Sequence, residues 1–119
     1  MLNFLRPTPT TPRLTVAEAV AGLKTGSLAV IDVREAAEIA ASGKAKGALH
    51  IPLSLIPIKA DPKAPDCAKG LDLTKPVAVY CASGMRSGAA VQSLIKLGYD
   101  AHNIGTIRDW AAAGGAISR

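Results

Sequence analysis

The chain has 119 residues, of which 49% are hydrophobic and 3% aromatic, so its length and composition suit one domain with an aliphatic core. The net charge of +5 favours anionic partners, but the basic residues are scattered and few aromatics accompany them, which argues against nucleic-acid binding. Two cysteines without a CxxC motif provide no disulfide framework and disfavour a structural zinc site.

The N-terminal residues 1–13 predict an extended leader, because the segment RPTPTTPR contains three prolines. No apolar stretch has the length of a signal peptide or a membrane span, so we expect no membrane association. A free thiol is stable in a reducing compartment, and we therefore expect a cytoplasmic location.

The first helix and the first strand follow this leader. A Thr-x-x-Glu capping box that starts at Thr15 predicts a helix from about Val16 to Lys24, ending near Gly26. The next run, SLAVIDV, is continuously apolar and rich in β-branched residues. Such a run is typical of a strand that is buried on both faces of a parallel sheet.

Helices and strands continue to alternate along the rest of the chain. The predicted segments are a helix in REAAEIAASG, a short strand in ALHIPLS, an irregular proline-rich connection over residues 57–76, a buried strand in VAVYC, a helix in SGAAVQSLIKLGY, a short strand in DAHNI and a helix in RDWAAAGG. This alternation predicts an open parallel α/β sheet with helices on both faces. Ligands of such sheets bind at the carboxyl ends of the strands, where VIDVR and VAVYC both end.

Cys81 lies between a predicted strand and a predicted helix, where Ser83 and Gly84 allow the chain to turn. Backbone N–H groups in such a turn have no partner within the helix and face inward as an anion site, which the helix dipole reinforces. A thiolate would be stabilised there, so we expect a depressed pKa for Cys81 and a nucleophilic role. The alternative is a cysteine that merely packs in the core.

Three segments in this order identify a family resemblance. CASGMRS resembles the active-site loop of rhodanese-like sulfurtransferases. VIDVREAAEIAASGKAKGALHIPLS resembles the family's Asp-Val-Arg motif with its acidic residue and Gly-Ala…Ile-Pro segment, and NIGTIRDWAAAGG resembles its closing Gly…Trp…Ala-Gly stretch. The resemblance implies a single rhodanese-like domain over residues 14–119, with about five parallel strands.

The resemblance further implies a thiosulfate sulfurtransferase that needs no cofactor and no metal. Cys81 would take the outer sulfur of thiosulfate or a similar donor as a persulfide, and a thiol or cyanide would then accept it. The residues expected to bind the substrate are Ala82, Ser83, Gly84, Met85 and Arg86. Two alternatives are a persulfide carrier that delivers sulfur to a protein partner, and a regulatory domain without catalysis.

The arginine of the loop leaves two roles open. Arg86 either holds an anionic donor through its guanidinium group or forms an ion pair that fixes the loop. Cys81 and Arg86 bracket four residues, whereas the loop of related cysteine phosphatases resembles C-x5-R. The shorter ring of N–H groups is narrower, which favours a sulfur atom over a phosphoryl group.

Three charged residues near the first strand are predicted to support the site. Arg34 and Glu38 have the spacing of an i,i+4 ion pair, and Asp32 is expected to brace the neighbouring loop. The other candidates receive structural roles. We expect a spectator thiol at Cys67 rather than a resolving thiol, isolated histidines at His50 and His102 rather than a cysteine–histidine protease pair, and core packing for Trp110.

Overall fold

The computed structural model describes residues 13–119, so residues 1–12 of the predicted leader lie outside the described part of the chain. The elements in chain order are α1 (Val16–Thr25), β1 (Ala29–Asp32), α2 (Ala36–Ser42), β2 (Lys44–Ala45), β3 (Leu49–His50), a 3-10 turn (Leu53–Leu55), α3 (Ile56–Lys59), β4 (Val77–Cys81), α4 (Met85–Lys96), β5 (Ala101–Thr106), α5 (Ile107–Ala112) and β6 (Ile117–Ser118). None of the helices described is long and apolar enough to cross a bilayer.

The central sheet has four parallel strands in the order β3-β1-β4-β5. Strand β4 lies inside the sheet and is buried along its whole length. Its alternate residues contribute to two separate apolar clusters, Val79 to the one with α3 and α4, and Ala78 to the one with α1 and α5. Helices therefore cover both faces of the sheet, which confirms the predicted parallel α/β class.

The first helix agrees closely with its prediction. The Thr15 hydroxyl accepts a hydrogen bond from the backbone N–H of Glu18, and the Glu18 carboxylate accepts one from the N–H of Thr15, which completes the capping box. The helix ends at Gly26, whose φ of 76° lies in the left-handed region that favours glycine.

The structure differs from the prediction in two places. The parallel sheet has four strands rather than about five, because the other two strands, β2 and β6, pair only with each other and are antiparallel. Each of these strands has two residues, too few to show an alternating pattern in the sequence. Residues 57–76 are not wholly irregular, since α3 includes Pro57 in its first turn, where the missing N–H costs no helical hydrogen bond.

The carboxyl edge of the sheet brings the predicted site segments together. Strand β1 ends at Asp32, which pairs with Tyr80, and the next residue of β4, Cys81, pairs with Thr106 of β5. The turns that follow these strands therefore leave the sheet side by side, next to Cys81 at the end of β4.

Candidate active site

Cys81 is the last residue of β4 and lies beneath the loop that leads into α4. The cysteine itself is 0% exposed, whereas Ala82, Ser83 and Met85 of the loop are exposed. The chain turns at Gly84, where a φ of 91° allows it to enter the helix directly from the strand. The loop thus forms a thin cover over a buried sulfur atom.

The sulfur of Cys81 receives several hydrogen bonds from this loop. The backbone N–H of Gly84 donates to Sγ at 3.0 Å, and the N–H of Ser87 donates at 3.4 Å. The Ser87 hydroxyl also lies 3.4 Å from Sγ. Two backbone N–H groups therefore face the sulfur, one from the turn and one from the first turn of α4. The N–H of Met85 donates to the Ser83 hydroxyl instead.

These contacts decide the direction in which the acidity of the thiol changes. Burial of Cys81 raises its pKa, since a charged sulfur loses hydration. Hydrogen bonds from the hydroxyl and the N–H of Ser87, followed by those from the N–H groups of Ser83 and Gly84, oppose burial and leave the pKa below its ordinary value. The geometry therefore favours a thiolate, although the sulfur is shielded from solvent.

Asn103, on the neighbouring strand β5, holds the loop in this geometry. Its side-chain Nδ2 donates to the carbonyl of Gly84 at 2.9 Å, and its Oδ1 accepts from the Ser87 hydroxyl at 2.8 Å while the Cys81 thiol is protonated. The hydroxyl has a single hydrogen, so it leaves Asn103 Oδ1 when it donates to the Cys81 thiolate. Oδ1 also accepts from the N–H of Gly105 at 3.0 Å, which orients the amide. Neither Ser87 nor Asn103 was assigned a role from the sequence; Ser87 belongs to the CASGMRS motif, whereas nothing local to Asn103 indicates this contact.

Arg86 forms a bidentate ion pair with Glu38 across the site. Its two terminal nitrogens donate to the two carboxylate oxygens at 2.7 and 2.8 Å, and each side chain is 34% exposed. The hydrogen bond from Arg86 lowers the pKa of Glu38 to about 2, with a further contribution from the backbone at Glu35. The i,i+4 pair predicted between Arg34 and Glu38 is wrong, because Glu38 points toward Arg86 instead.

Arg34 belongs to a buried network with Asp32. Its Nε and Nη2 donate to the Asp32 carboxylate at 2.8 to 3.1 Å, and the Tyr80 hydroxyl donates to the same carboxylate. Asp32 and Arg34 are 0% and 2% exposed. Asp32 also accepts from the N–H of Arg34 at 2.9 Å, so it braces the turn that follows its own strand rather than the cysteine loop.

The hydrogen bonds described for the remaining candidate residues go to groups other than Cys81. The ring of His50 contacts the carbonyl of Arg34, and the ring of His102 contacts Asp100. Trp110 is 2% exposed and packs in the core against Tyr80, with their ring centroids 6.4 Å apart, as expected. The two cysteines are free thiols. Within residues 13–119, no cluster of three or more His, Cys, Asp or Glu side chains is arranged to hold a metal ion.

Comparisons with known proteins agree with this geometry. A family model described as the rhodanese-like domain matches residues 15–113. The human single-domain sulfurtransferase TSTD1 is 31% identical, with a TM-score of 0.72 over 86% of this chain and 96% of its own. A search of curated proteins returned no match.

Two further solved structures are similar over most of their length. A rhodanese-related protein from Thermoplasma volcanium is 30% identical, with a TM-score of 0.69 over 91% of this chain and 98% of its own. A protein of unknown function from Rhodopseudomonas palustris, described as a possible tyrosine phosphatase, is 30% identical, with a TM-score of 0.75 over 92% of this chain and 86% of its own.

Proposed function

Because the chain belongs to the rhodanese-like domain family, we propose that it is a sulfurtransferase that carries sulfane sulfur as a persulfide on Cys81. The donor is thiosulfate or a similar compound, and the acceptor is a thiol or cyanide. The observation that carries this proposal is the set of hydrogen bonds that Gly84 and Ser87 direct at the Cys81 sulfur. Both cysteines are free thiols, which suits a cytoplasmic location.

The first step loads the enzyme. The Cys81 thiolate attacks the outer sulfur of thiosulfate, the S–S bond of the donor breaks, and sulfite leaves with the electron pair. The negative charge moves onto the outer sulfur of the new persulfide, where loop N–H groups stabilise it. Since the nucleophile is already an anion and sulfite leaves without a proton, this step needs no general acid, which suits a loop without histidine.

The second step returns the enzyme to its starting state. An acceptor thiolate or cyanide attacks the outer sulfur, and the Cys81 thiolate leaves as the S–S bond breaks. Donor and acceptor therefore react with the enzyme in separate steps, which predicts ping-pong kinetics. The hydrogen bonds from Gly84 and Ser87 stabilise the departing thiolate, so the same groups serve both steps.

The width of the loop favours sulfur transfer over phosphate hydrolysis. Four residues separate Cys81 from Arg86, and the Gly84 N–H already reaches Sγ at 3.0 Å. The guanidinium group of Arg86, which would have to bind a phosphoryl group, donates to Glu38 from both terminal nitrogens. We therefore do not extend to this chain the phosphatase description of the Rhodopseudomonas relative.

Intact-protein mass spectrometry tests the proposal. Thiosulfate should add the mass of one sulfur atom to the wild type and to the Cys67→Ser variant, and cyanide should remove it with formation of thiocyanate. The Cys81→Ser variant should gain no sulfur. A gain that persists in Cys81→Ser and disappears in Cys67→Ser would contradict the proposal. A persulfide that forms on Cys81 but discharges only to a protein thiol would identify a carrier instead of an enzyme.

A further inference from the structure

Three charged side chains, Arg86, Glu38 and Glu35, form the rim of the cysteine loop together with Met85, and two of the three are acidic. Arg86 is the one cationic side chain among the loop residues 81–87, and its two terminal nitrogens are bound to Glu38. With its pKa near 2, Glu38 is ionised at neutral pH. Glu35 is also close enough to interact with the Arg86 charge. Two carboxylates therefore face one guanidinium group, before the thiolate itself is counted.

A dianion gains little at such a rim. The net charge of +5 attracts anions to the chain as a whole, but at physiological salt charges more than about 8 Å away are largely screened. Close to the sulfur, the net charge of the nearby groups decides whether an anion is attracted. The sum over Arg86, Glu38, Glu35 and the Cys81 thiolate is negative. Thiosulfate would either displace Glu38 from Arg86 or approach the thiolate without a neutralising cation.

Met85 gives the same rim an apolar contact surface. It is the first residue of α4, it lies next to Arg86, and it is 81% exposed, the largest value among the exposed large hydrophobic residues described. A thioether side chain is flexible and polarizable, so it adapts to apolar groups of different shapes. The rim therefore offers an apolar contact, while its cationic side chain, Arg86, is already paired with Glu38.

We infer that the preferred sulfur donor is an organic persulfide on an apolar carrier, and that Met85 and the Arg86–Glu38 pair select it over the thiosulfate dianion. This inference rests on the proposed function, since it concerns the donor of the Cys81 persulfide. The carrier group contacts Met85, while the terminal sulfur reaches Cys81 beneath the loop.

The reaction with such a donor balances without an oxidant. The Cys81 thiolate attacks the outer sulfur of R–S–SH, a bond forms between Sγ and that sulfur, and the S–S bond of the donor breaks. The thiolate R–S⁻ leaves with the electron pair, while the transferred sulfur keeps its proton. Because the reacting group of this donor has at most one negative charge, its encounter with the thiolate meets less repulsion than that of thiosulfate.

The test compares the rates at which two donors add sulfur to Cys81 in the Cys67→Ser background. Intact mass spectrometry of samples quenched at successive times measures each rate. The donors are thiosulfate and the persulfide of N-acetylcysteine methyl ester, whose carrier is uncharged. In the protein that retains Met85, we expect the persulfide to react at least about tenfold faster than thiosulfate. Added salt should accelerate the thiosulfate reaction, because it screens like charges.

The Met85→Lys variant supplies the decisive comparison. A free cation at the rim should raise the thiosulfate rate constant about 3- to 10-fold, as expected for one charge acting on a dianion several ångströms away in partly screened water. The same change should raise the rate constant of the uncharged-carrier persulfide less, because the reacting group of that donor has at most one negative charge. It should also weaken or reverse the acceleration by salt.

Gln92→Lys is the matched control, because Gln92 is exposed on the same helix, two turns or about 10 Å from Met85. It should leave both rate constants within about 1.5-fold of the background, since the added charge is screened at that distance. The inference is overturned if thiosulfate is the faster donor, or if Met85→Lys changes both donors equally. If neither donor loads Cys81, the proposed sulfurtransferase function itself is wrong.

Discussion

At the scale of single residues, the central feature is a buried sulfur atom whose acidity depends on a few nearby donors. Burial alone would raise the pKa of Cys81, and hydrogen bonds from Ser87 and Gly84 outweigh this effect and leave the pKa below its ordinary value. Asn103 fixes both of these donors, although it does not contact the sulfur by any hydrogen bond described here. The chemistry of Cys81 thus depends on side chains that have no reactivity of their own.

Removing the Ser87 hydroxyl should make Cys81 less reactive. The side chain of Ser87 makes the largest contribution among those that lower the Cys81 pKa, so Ser87→Ala should raise that pKa. A hydrogen bond to a charged group contributes about 1.5 kcal/mol, which corresponds to an approximately tenfold slower alkylation at neutral pH. The pH dependence of Cys81 alkylation by iodoacetamide measures the effect.

Ser93→Ala is the control for this experiment, because Ser93 lies on the same helix and is half-buried. It should leave the alkylation profile unchanged. If Ser87→Ala shows the same midpoint as the wild type, the hydroxyl does not stabilise the thiolate. In that case the backbone N–H groups of the loop would be the only stabilising donors.

At the scale of elements, the ion pair between Glu38 and Arg86 joins two helices that meet at the site. Glu38 lies in α2 and Arg86 in the first turn of α4, so the pair connects the turn after β1 with the cysteine loop. Each side chain is about one-third exposed, and water therefore screens the attraction. We expect the pair to position the loop more than it stabilises the whole domain.

Glu38→Gln should lower the free energy of unfolding by at most about 1 kcal/mol at pH 7. The folded-state pKa of Glu38 lies near 2, below its ordinary value of 4.5, so the ionised form stabilises the fold above pH 4.5. This stabilisation is lost as the pH falls from about 4.5 to about 2, because the carboxylate then becomes protonated.

Urea unfolding of the wild type and Glu38→Gln at several pH values measures this dependence. The difference in the free energy of unfolding between the two proteins should shrink as the pH falls from about 4.5 to about 2. In an Arg86→Ala background, the same substitution should have little effect, since the partner of Glu38 is missing. A difference that is constant from pH 7 to pH 2 would show that the ion pair does not stabilise the fold.

At the scale of the whole molecule, a buried polar network supports the carboxyl edge of the sheet. Arg34 donates to Asp32, to the Ser42 hydroxyl and to the carbonyl of Gly43, and thereby connects β1 with the C-terminal end of α2. Tyr80 of β4 joins the network, and its hydroxyl accepts from the N–H of Ala45. Neighbouring strands and the α2–β2 turn are therefore held by one set of hydrogen bonds.

Asp32→Ala should destabilise the domain by about 3–5 kcal/mol, because it leaves the buried charge of Arg34 without its partner. Asp66→Ala removes an exposed carboxylate and should change the stability by no more than about 0.5 kcal/mol. The free energy of urea unfolding measures both effects. A loss below about 1 kcal/mol for Asp32→Ala would mean that water reaches Arg34 and replaces the carboxylate.

Much of the fold was predictable because its signals are local. The capping box at Thr15 and the apolar runs of β1 and β4 each occupy a few consecutive residues, and their patterns predict the helix, the strands and the parallel class. The position of Cys81 at a strand-to-helix junction follows from the same patterns. The β2–β6 pair was not predictable, since two-residue strands have no periodicity.

The sequence by itself determined the order of the longer helices and strands and the placement of Cys81 beside a turn of small residues, since adjacent residues and short spacings encode both. Only the tertiary structure decided which groups surround that turn. Glu38 meets Arg86 across 48 positions of the chain, and Asn103 meets Ser87 across 16. Such contacts depend on how helices and strands pack against each other, and the residues near each partner carry no pattern that specifies them.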